Sequence, residues 1–213
     1  MDIVGRAVQV LRRDGTIAYP TDTVYGLGAD AFSDDAILRV SEAKGRPVGK
    51  PISVAVSDTE MLLAIAHVDD RDLGFIGRFL PGPVTVVLRA RSCLPSLLTG
   101  GTGKIGVRMP ANDLALAIIS SFDSPITATS ANISGGPDPV TPGEIRVPYD
   151  LLVDGGVLSG RPSTVVDLEE GRIIRIGEIT GEVESWFLGE GRHGPTGHRP
   201  GRGAEGDQGE GDE

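Results

Sequence analysis

Residues 17–56 read IAYPTDTVYGLGADAFSDDAILRVSEAKGRPVGKPISVAV, and this stretch decides the fold. Ile17 to Tyr19 is an apolar strand that runs into Pro20-Thr21-Asp22-Thr23, which is too polar to continue a buried strand. Gly26 and Gly28 follow. Ser33 then supplies an N-cap for a helix carrying Ala36, Ile37, Val40 and Ala43, expected to end near Lys44. A basic loop comes next, with Lys44, Arg46 and Lys50 stiffened by Pro47 and Pro51. Hydroxyls at a strand end and fixed cations at a helix end suit an anionic ligand. The plain alternative is an ordinary strand, a helix and a solvated basic turn.

Outward from this stretch the same alternation continues. Ile3, Val4, Ala7, Val8 and Leu11 recur at helical spacing, and Gly15 can end that helix after Asp14. Beyond it, strands are expected at 52–56, 84–88, 105–109, 126–129, 151–154, 164–168 and 172–176. Helices are expected at 59–66 and 70–80, started by Thr59 and by Asp69 or Asp70, and after Asn112-Asp113. Pro81-Gly82-Pro83 is a turn and 133–149 a long loop. A last turn or two of helix runs from Thr180 to near Leu188. The reading is a single α/β domain over residues 1–188: a twisted mixed sheet flanked by helices, with a concave cleft. Residues 189–213 are rich in glycine, lack aromatics and turn acidic, so they read as a disordered tail in which His193 and His198 are solvated.

The chain has 213 residues, 39% of them hydrophobic, enough for a real core. Its formal charge of −10 argues against a protein built mainly to grip nucleic acid through phosphates. It still allows a local basic crevice, because Lys44, Arg46, Lys50, Lys104, Arg108 and Arg175 fall within the segments singled out. A single cysteine, Cys93, excludes an intrachain disulfide and is expected to fill space. With no signal-like or membrane-spanning apolar run, a cytoplasmic protein that does not enter membranes is expected. Gly101-Thr102-Gly103-Lys104-Ile105-Gly106 fits G-x-G-x-x-G, but Val107-Arg108-Met109-Pro110 reads as a strand end where a dinucleotide site needs a helix. A Walker loop fails too, with Ile105 where Ser or Thr should stand. No G-x-S-x-G surrounds Ser130, and no Cys/His cluster has zinc spacing, so no protein-bound metal is expected.

Taken in order, Pro20-Thr21-Asp22-Thr23-Val24-Tyr25-Gly26-Leu27, Lys44-Gly45-Arg46-Pro47, Ser130-Ala131-Asn132, Ser163-Thr164-Val165-Val166-Asp167 and Arg175 resemble the motifs of the YrdC-like family, the threonylcarbamoyl-AMP synthases. The resemblance covers roughly residues 5–180. It implies a nucleotidyltransferase that joins L-threonine, bicarbonate and ATP into threonylcarbamoyl-adenylate and pyrophosphate. That product serves the threonylcarbamoyladenosine modification of tRNA, a second protein transferring the group. Magnesium is expected to arrive on the triphosphate.

The resemblance assigns Lys44 and Arg46 to catalysis, and Lys44, Arg46, Ser130, Asn132 and Arg175 to ATP, with Lys50 as a third cation in the same loop for ATP. Fixed cations answer the charge that builds on the leaving pyrophosphate. Thr21 and Ser163 are the hydroxyls that match the family for threonine, and Arg108 is the residue whose fork can grip the threonine carboxylate. The alternative for Arg108 is a surface salt bridge beside Asp113. The chain departs from its relatives in three ways. Ala55 stands where many have histidine, Arg175-Ile176-Gly177 replaces Arg-Pro-Gly, and the second domain of longer members is replaced by the glycine-rich tail. A rival reading is an RNA-binding module like the YciO branch, with the same fold, weak RNA binding and no synthesis. A carbamoyl-transfer domain of a larger maturation enzyme is disfavoured, because its zinc-finger cysteines are missing.

Overall fold

The computed structural model describes residues 2–190. The described residues up to Thr180 form one compact unit. In chain order its elements are α1 (Ile3–Leu11), β1 (Ile17–Tyr19), β2 (Gly26–Gly28), α2 (Asp34–Ala43), β3 (Val54–Ala55), α3 (Thr59–Ile65), β4 (Ala66–His67), α4 (Asp70–Phe79), β5 (Val84–Ala90) and α5 (Ser96–Thr99). They continue with β6 (Lys104–Arg108), α6 (Asp113–Phe122), β7 (Ile126–Thr127), β8 (Thr129–Ser130), a short 3-10 turn at Pro142–Glu144, β9 (Leu151–Leu152), β10 (Thr164–Asp167) and β11 (Arg172–Arg175). The helix α7 (Thr180–Glu190) lies almost wholly in a second unit that begins at Gly181; it passes the expected end at Leu188. From residue 191 the expected tail lies outside the described residues.

Two sheets build the first unit. The smaller has the order β8-β2-β1-β9, with β1 antiparallel to β2 and parallel to β9. The larger runs β11-β10-β5-β6-β3-β7, with β4 paired to β5. Its β5–β10 and β3–β6 pairs are parallel and the rest antiparallel, so the expected mixed sheet is divided in two. The strand expected at 126–129 is where they meet. Ile126 and Thr127 pair with β3 in the large sheet, and Thr129 and Ser130 pair with β2 in the small one. One extended segment thus ties both sheets together beside the cleft.

Local chemistry explains the boundaries. Ser33 accepts from Ala36 N at 3.2 Å, and Asp34 and Asp35 sit in the first turn of α2, where the helix dipole favours carboxylates. Asp58, rather than Thr59, caps α3, accepting from Met61 N at 2.8 Å. Asp69 and Asp72 form a capping box on α4. Ala7, Val8 and Leu11 of α1 and Ala115, Ile118, Ile119 and Phe122 of α6 bury one core with Ile17, Tyr19, Ile126 and Leu151. The Tyr19 ring lies across β2: a Cβ on Gly26 or Gly28 would come within 2.8 or 2.9 Å of it. Those glycines are therefore a packing requirement, and they make β2 a strand that side-chain patterning does not reveal.

Candidate functional site

A cleft of about 540 Å³ draws its walls from both sheets. Thr21, Lys44, Arg46, Lys50, Arg108, Ser130, Asn132, Ser163 and Arg175, the full set of sequence candidates, line it. So do Thr23, Thr85 and Asp138, which the sequence reading passed over. Five of the lining residues are cationic, and Asp138 is the one lining carboxylate, in a chain of formal charge −10. Field lines converge in such a crevice.

The candidates are held in different ways. Lys44 caps the end of α2 and is only 2% exposed. Its Nζ donates to Ser130 O, to Asn132 O at 2.8 Å and to Asn132 Oδ1 at 2.8 Å. Burial, then the neighbouring Arg46, pushes the Lys44 ammonium down to about 8, with Asp138 opposing the shift. Arg46 spends Nη2 on Pro51 O at 2.6 Å, while its Nε is buried without a partner. Burial lowers this guanidinium from its ordinary value as well. Lys50 is exposed at the mouth.

Ser130 Oγ donates to Asn132 Oδ1 at 2.7 Å, and Asn132 Nδ2 donates to Gly136 O at 2.6 Å and Asp138 Oδ1 at 3.1 Å. Arg175 Nη2 donates to Ser163 Oγ at 2.9 Å and Ser163 O at 3.0 Å, and Ser163 Oγ shares a proton with Thr85 Oγ1. Burial lowers Arg175 too, the field of Asp138 working the other way.

Arg108 is not a surface residue beside Asp113. It is 7% exposed, pairs through Nη2 with Asp22 Oδ1 at 2.5 Å and donates from Nη1 to Thr23 Oγ1 at 3.2 Å. Its Nε and Asp22 Oδ2 are buried without partners. Asp22 stood inside a recognised motif, and its charge was the signal that could have marked it. The Thr21 hydroxyl closes its own turn, donating to Val24 O at 2.7 Å and accepting from Thr23 N at 3.1 Å. Thr23, the second hydroxyl of the motif, is the one that meets the arginine. Among the described residues, the buried side-chain polar atoms without a partner are Asp22 Oδ2, Arg46 Nε and Arg108 Nε. Two of them belong to cleft cations.

Other expectations resolve as follows. Lys104 turns away to Asp167, Glu169 and Glu170. The G-x-G-x-x-G stretch carries β6 and not a helix, and Gly106 serves close packing, since a Cβ there would lie 2.4 Å from Ser53 Oγ. Ala55 is fully buried in the core with Ile126 and Ile118, so position 55 does not face the cleft. Cys93 does not fill space: it is exposed, its Sγ 3.6 Å from Ala64 O. Gly177 must be glycine, because a Cβ would lie 2.3 Å from Thr164 N; this fixes the turn after Arg175 without the relatives' proline. Among the described residues no group of three or more His, Cys, Asp or Glu could hold a metal ion, and no helix is long and apolar enough to cross a membrane.

The family model Sua5_yciO_yrdC, described as telomere recombination, matches residues 9–177. A threonylcarbamoyl-AMP synthase of Pyrococcus abyssi is 39% identical over 170 residues, covering 77% of this chain and 50% of the relative. The threonylcarbamoyl-AMP synthase of Escherichia coli K12 is 35% identical over 185 residues, covering 83% of this chain and 96% of the relative. The chain therefore spans half the length of the first relative and nearly all of the second. The crystal structure of P. abyssi Sua5 complexed with L-threonine superposes with a TM-score of 0.79 at 37% identity, over 86% of this chain and 56% of that one. Fold, motif order and sequence agree over the same residues, and the chain belongs to the Sua5/YciO/YrdC family.

Proposed function

We propose that this chain is an L-threonylcarbamoyladenylate synthase. It joins L-threonine, bicarbonate and ATP into threonylcarbamoyl-AMP and releases pyrophosphate. The observation that carries the reading is the cleft itself: five cations and one carboxylate converge there in an acidic chain. The substrate pair demands that balance, since a triphosphate and an amino acid carboxylate both bring negative charge.

In this reading the threonine nitrogen takes up the bicarbonate carbon with loss of water, giving a carbamate. A carbamate oxygen then attacks the α-phosphorus, and the bond from that phosphorus to the bridging oxygen breaks. Charge grows on the departing pyrophosphate, and Arg46, Lys50 and Arg175 are the cations placed to meet it. Arg108, braced by Asp22 and Thr23, holds the threonine carboxylate, which the reaction does not consume. Thr21 shapes the turn beneath it, and Ser163 anchors Arg175. Magnesium would enter with ATP, and Asp138, the one carboxylate of the cleft lining, is the residue that could help to hold it. The product then passes to a tRNA threonylcarbamoyl transferase, which goes with a cytoplasmic site of action.

The test is pyrophosphate release by the full chain. Release that needs threonine, bicarbonate and ATP together supports the synthase. ATP left intact, with RNA retained on the protein, would support the YciO-like alternative.

A further inference from the structure

The three protons of a lysine ammonium are its whole hydrogen-bonding capacity. On Lys44 all three have acceptors within the protein: Ser130 O, Asn132 O and Asn132 Oδ1. To reach a phosphate, Nζ would have to leave three carbonyl oxygens behind in a place where the lysine is 2% exposed. The backbone of Lys44 is engaged as well, its carbonyl accepting from Ser134 N at 2.9 Å. Residues 130–138 are thus folded round one side chain. Ser130 Oγ leans on the same Asn132 Oδ1 that Lys44 holds, and Asn132 Nδ2 passes the constraint on to Gly136 and Asp138. Arg46, two residues on, is the opposite case, with a buried Nε that no protein group satisfies.

We infer that Lys44 is a positioning residue. It acts through the Ser130–Asp138 turn, setting Ser130 and Asn132 for the nucleotide, and it does not touch phosphate itself. The inference rests on the proposed ATP site and assigns the two cations of the Lys44-Gly45-Arg46 motif different work: Lys44 builds the wall and Arg46 meets the ligand.

The test is a double-mutant cycle on kcat/KM for ATP, using the full chain with Lys44→Met, Asn132→Ala and the pair. If Lys44 acts through Asn132, each single change lowers kcat/KM about tenfold or more, and the pair is within about threefold of the worse single, because residues in one network do not add. A phosphate ligand predicts independent losses that multiply, about a hundredfold for the pair, and that result overturns the inference. Single variants at wild-type level overturn it too.

A second measurement needs no variant. The Lys44 ammonium resonance of the wild-type chain should keep its position and slow exchange when ATP saturates the site. A large shift, with coupling to phosphorus, contradicts the inference even if Lys44→Met does not fold. Absence of threonine-dependent turnover in the wild type would sink the proposed reaction while the ATP-binding readout still decides the role of Lys44. Failure to bind ATP at all overturns both.

Discussion

Lys44 and Lys104 each have three oxygen partners, yet they are opposite in almost every physical respect. Lys44 is buried in the cleft wall, and its partners are neutral carbonyls. Lys104 is not part of the cleft lining, and Asp167, Glu169 and Glu170 surround it at 2.8, 3.3 and 3.1 Å. Burial lowers the first ammonium to about 8, whereas the hydrogen bond to Asp167, with those to its neighbours, raises the second above its ordinary value. Carbonyl dipoles alone only partly replace the hydration that Lys44 loses; three carboxylates, the buried Asp167 foremost, hold Lys104 charged. A buried cation on neutral acceptors is an arrangement kept for geometry, while a partly exposed cation on carboxylates outside the cleft serves the fold there and not the site.

The sharpest way to break this contrast is to remove each charge. Lys44→Met leaves three carbonyl oxygens short of a donor, so a loss of about 2–4 kcal/mol in unfolding free energy is expected, alongside the loss of turnover. Chemical denaturation and pyrophosphate release measure the two. Exposed cleft cations are expected to fold normally when mutated, and Lys44 leaves that group because it is not exposed. Arg46→Ala sharpens the contrast from the other side: turnover should fall more than about tenfold, by loss of a charge-assisted contact, with much less change in stability.

Arg108→Lys comes next. It keeps the charge but loses the fork that spans Asp22 and Thr23. The apparent threonine constant should rise roughly ten- to a hundredfold, the value of one charged hydrogen bond, while the ATP constant moves far less. Steady-state rates with each substrate varied in turn decide this. A shift confined to the ATP constant would place Arg108 on the nucleotide instead.

A smaller effect separates charge from fold. Neutral Lys44 has two N–H donors for three carbonyls, so activity should decline through an alkaline limb centred near 8. The charges acting on it are Arg46, which favours the neutral form, and Asp138, which favours the charged one. Stability moves the other way. Because the folded value lies below the ordinary value of 10.5, the unfolded chain binds more protons between about 8 and 10.5. The contribution of this one group to stability therefore rises with pH across that window. Activity that falls while the fold holds is the expected pattern, and Lys44→Met should lack the limb. Parallel loss of both would mean plain unfolding.

The smallest effect belongs to Lys104→Ala. Stability should fall less than in Lys44→Met, most of the change coming from the buried Asp167 carboxylate that loses its partner, and turnover should be unaffected.

Much of this site was legible in the chain because motif residues sit where strands and helices end, and those ends follow from patterning. The helices were the plainest: Ser33, Asp69 and Asn112 cap as their side chains demand. β2 was hidden because its glycines exist for the Tyr19 ring and leave no alternating pattern. The split of 126–130 between two sheets depends on pairing across distant segments, which local propensity does not encode. Of the six cations singled out, five line one cleft and Lys104 does not, and the roles of the five were not readable. Whether a lysine is exposed or wrapped in carbonyls is set by Ser130 and Asn132, nearly ninety residues away. Asp22 has no role legible in its motif, because its partner Arg108 is 86 residues distant.

One measurement bears most directly on the claim that this cationic cleft makes an adenylate of carbamoylated threonine. The full chain is supplied with ATP, L-threonine and carbon-13 bicarbonate, and the adenylated product is weighed by mass spectrometry before it decays. The account predicts threonylcarbamoyl-AMP carrying a single labelled carbon, formed in step with pyrophosphate. Pyrophosphate accompanied by an unlabelled threonyl-adenylate, or no adenylate at all, would contradict it.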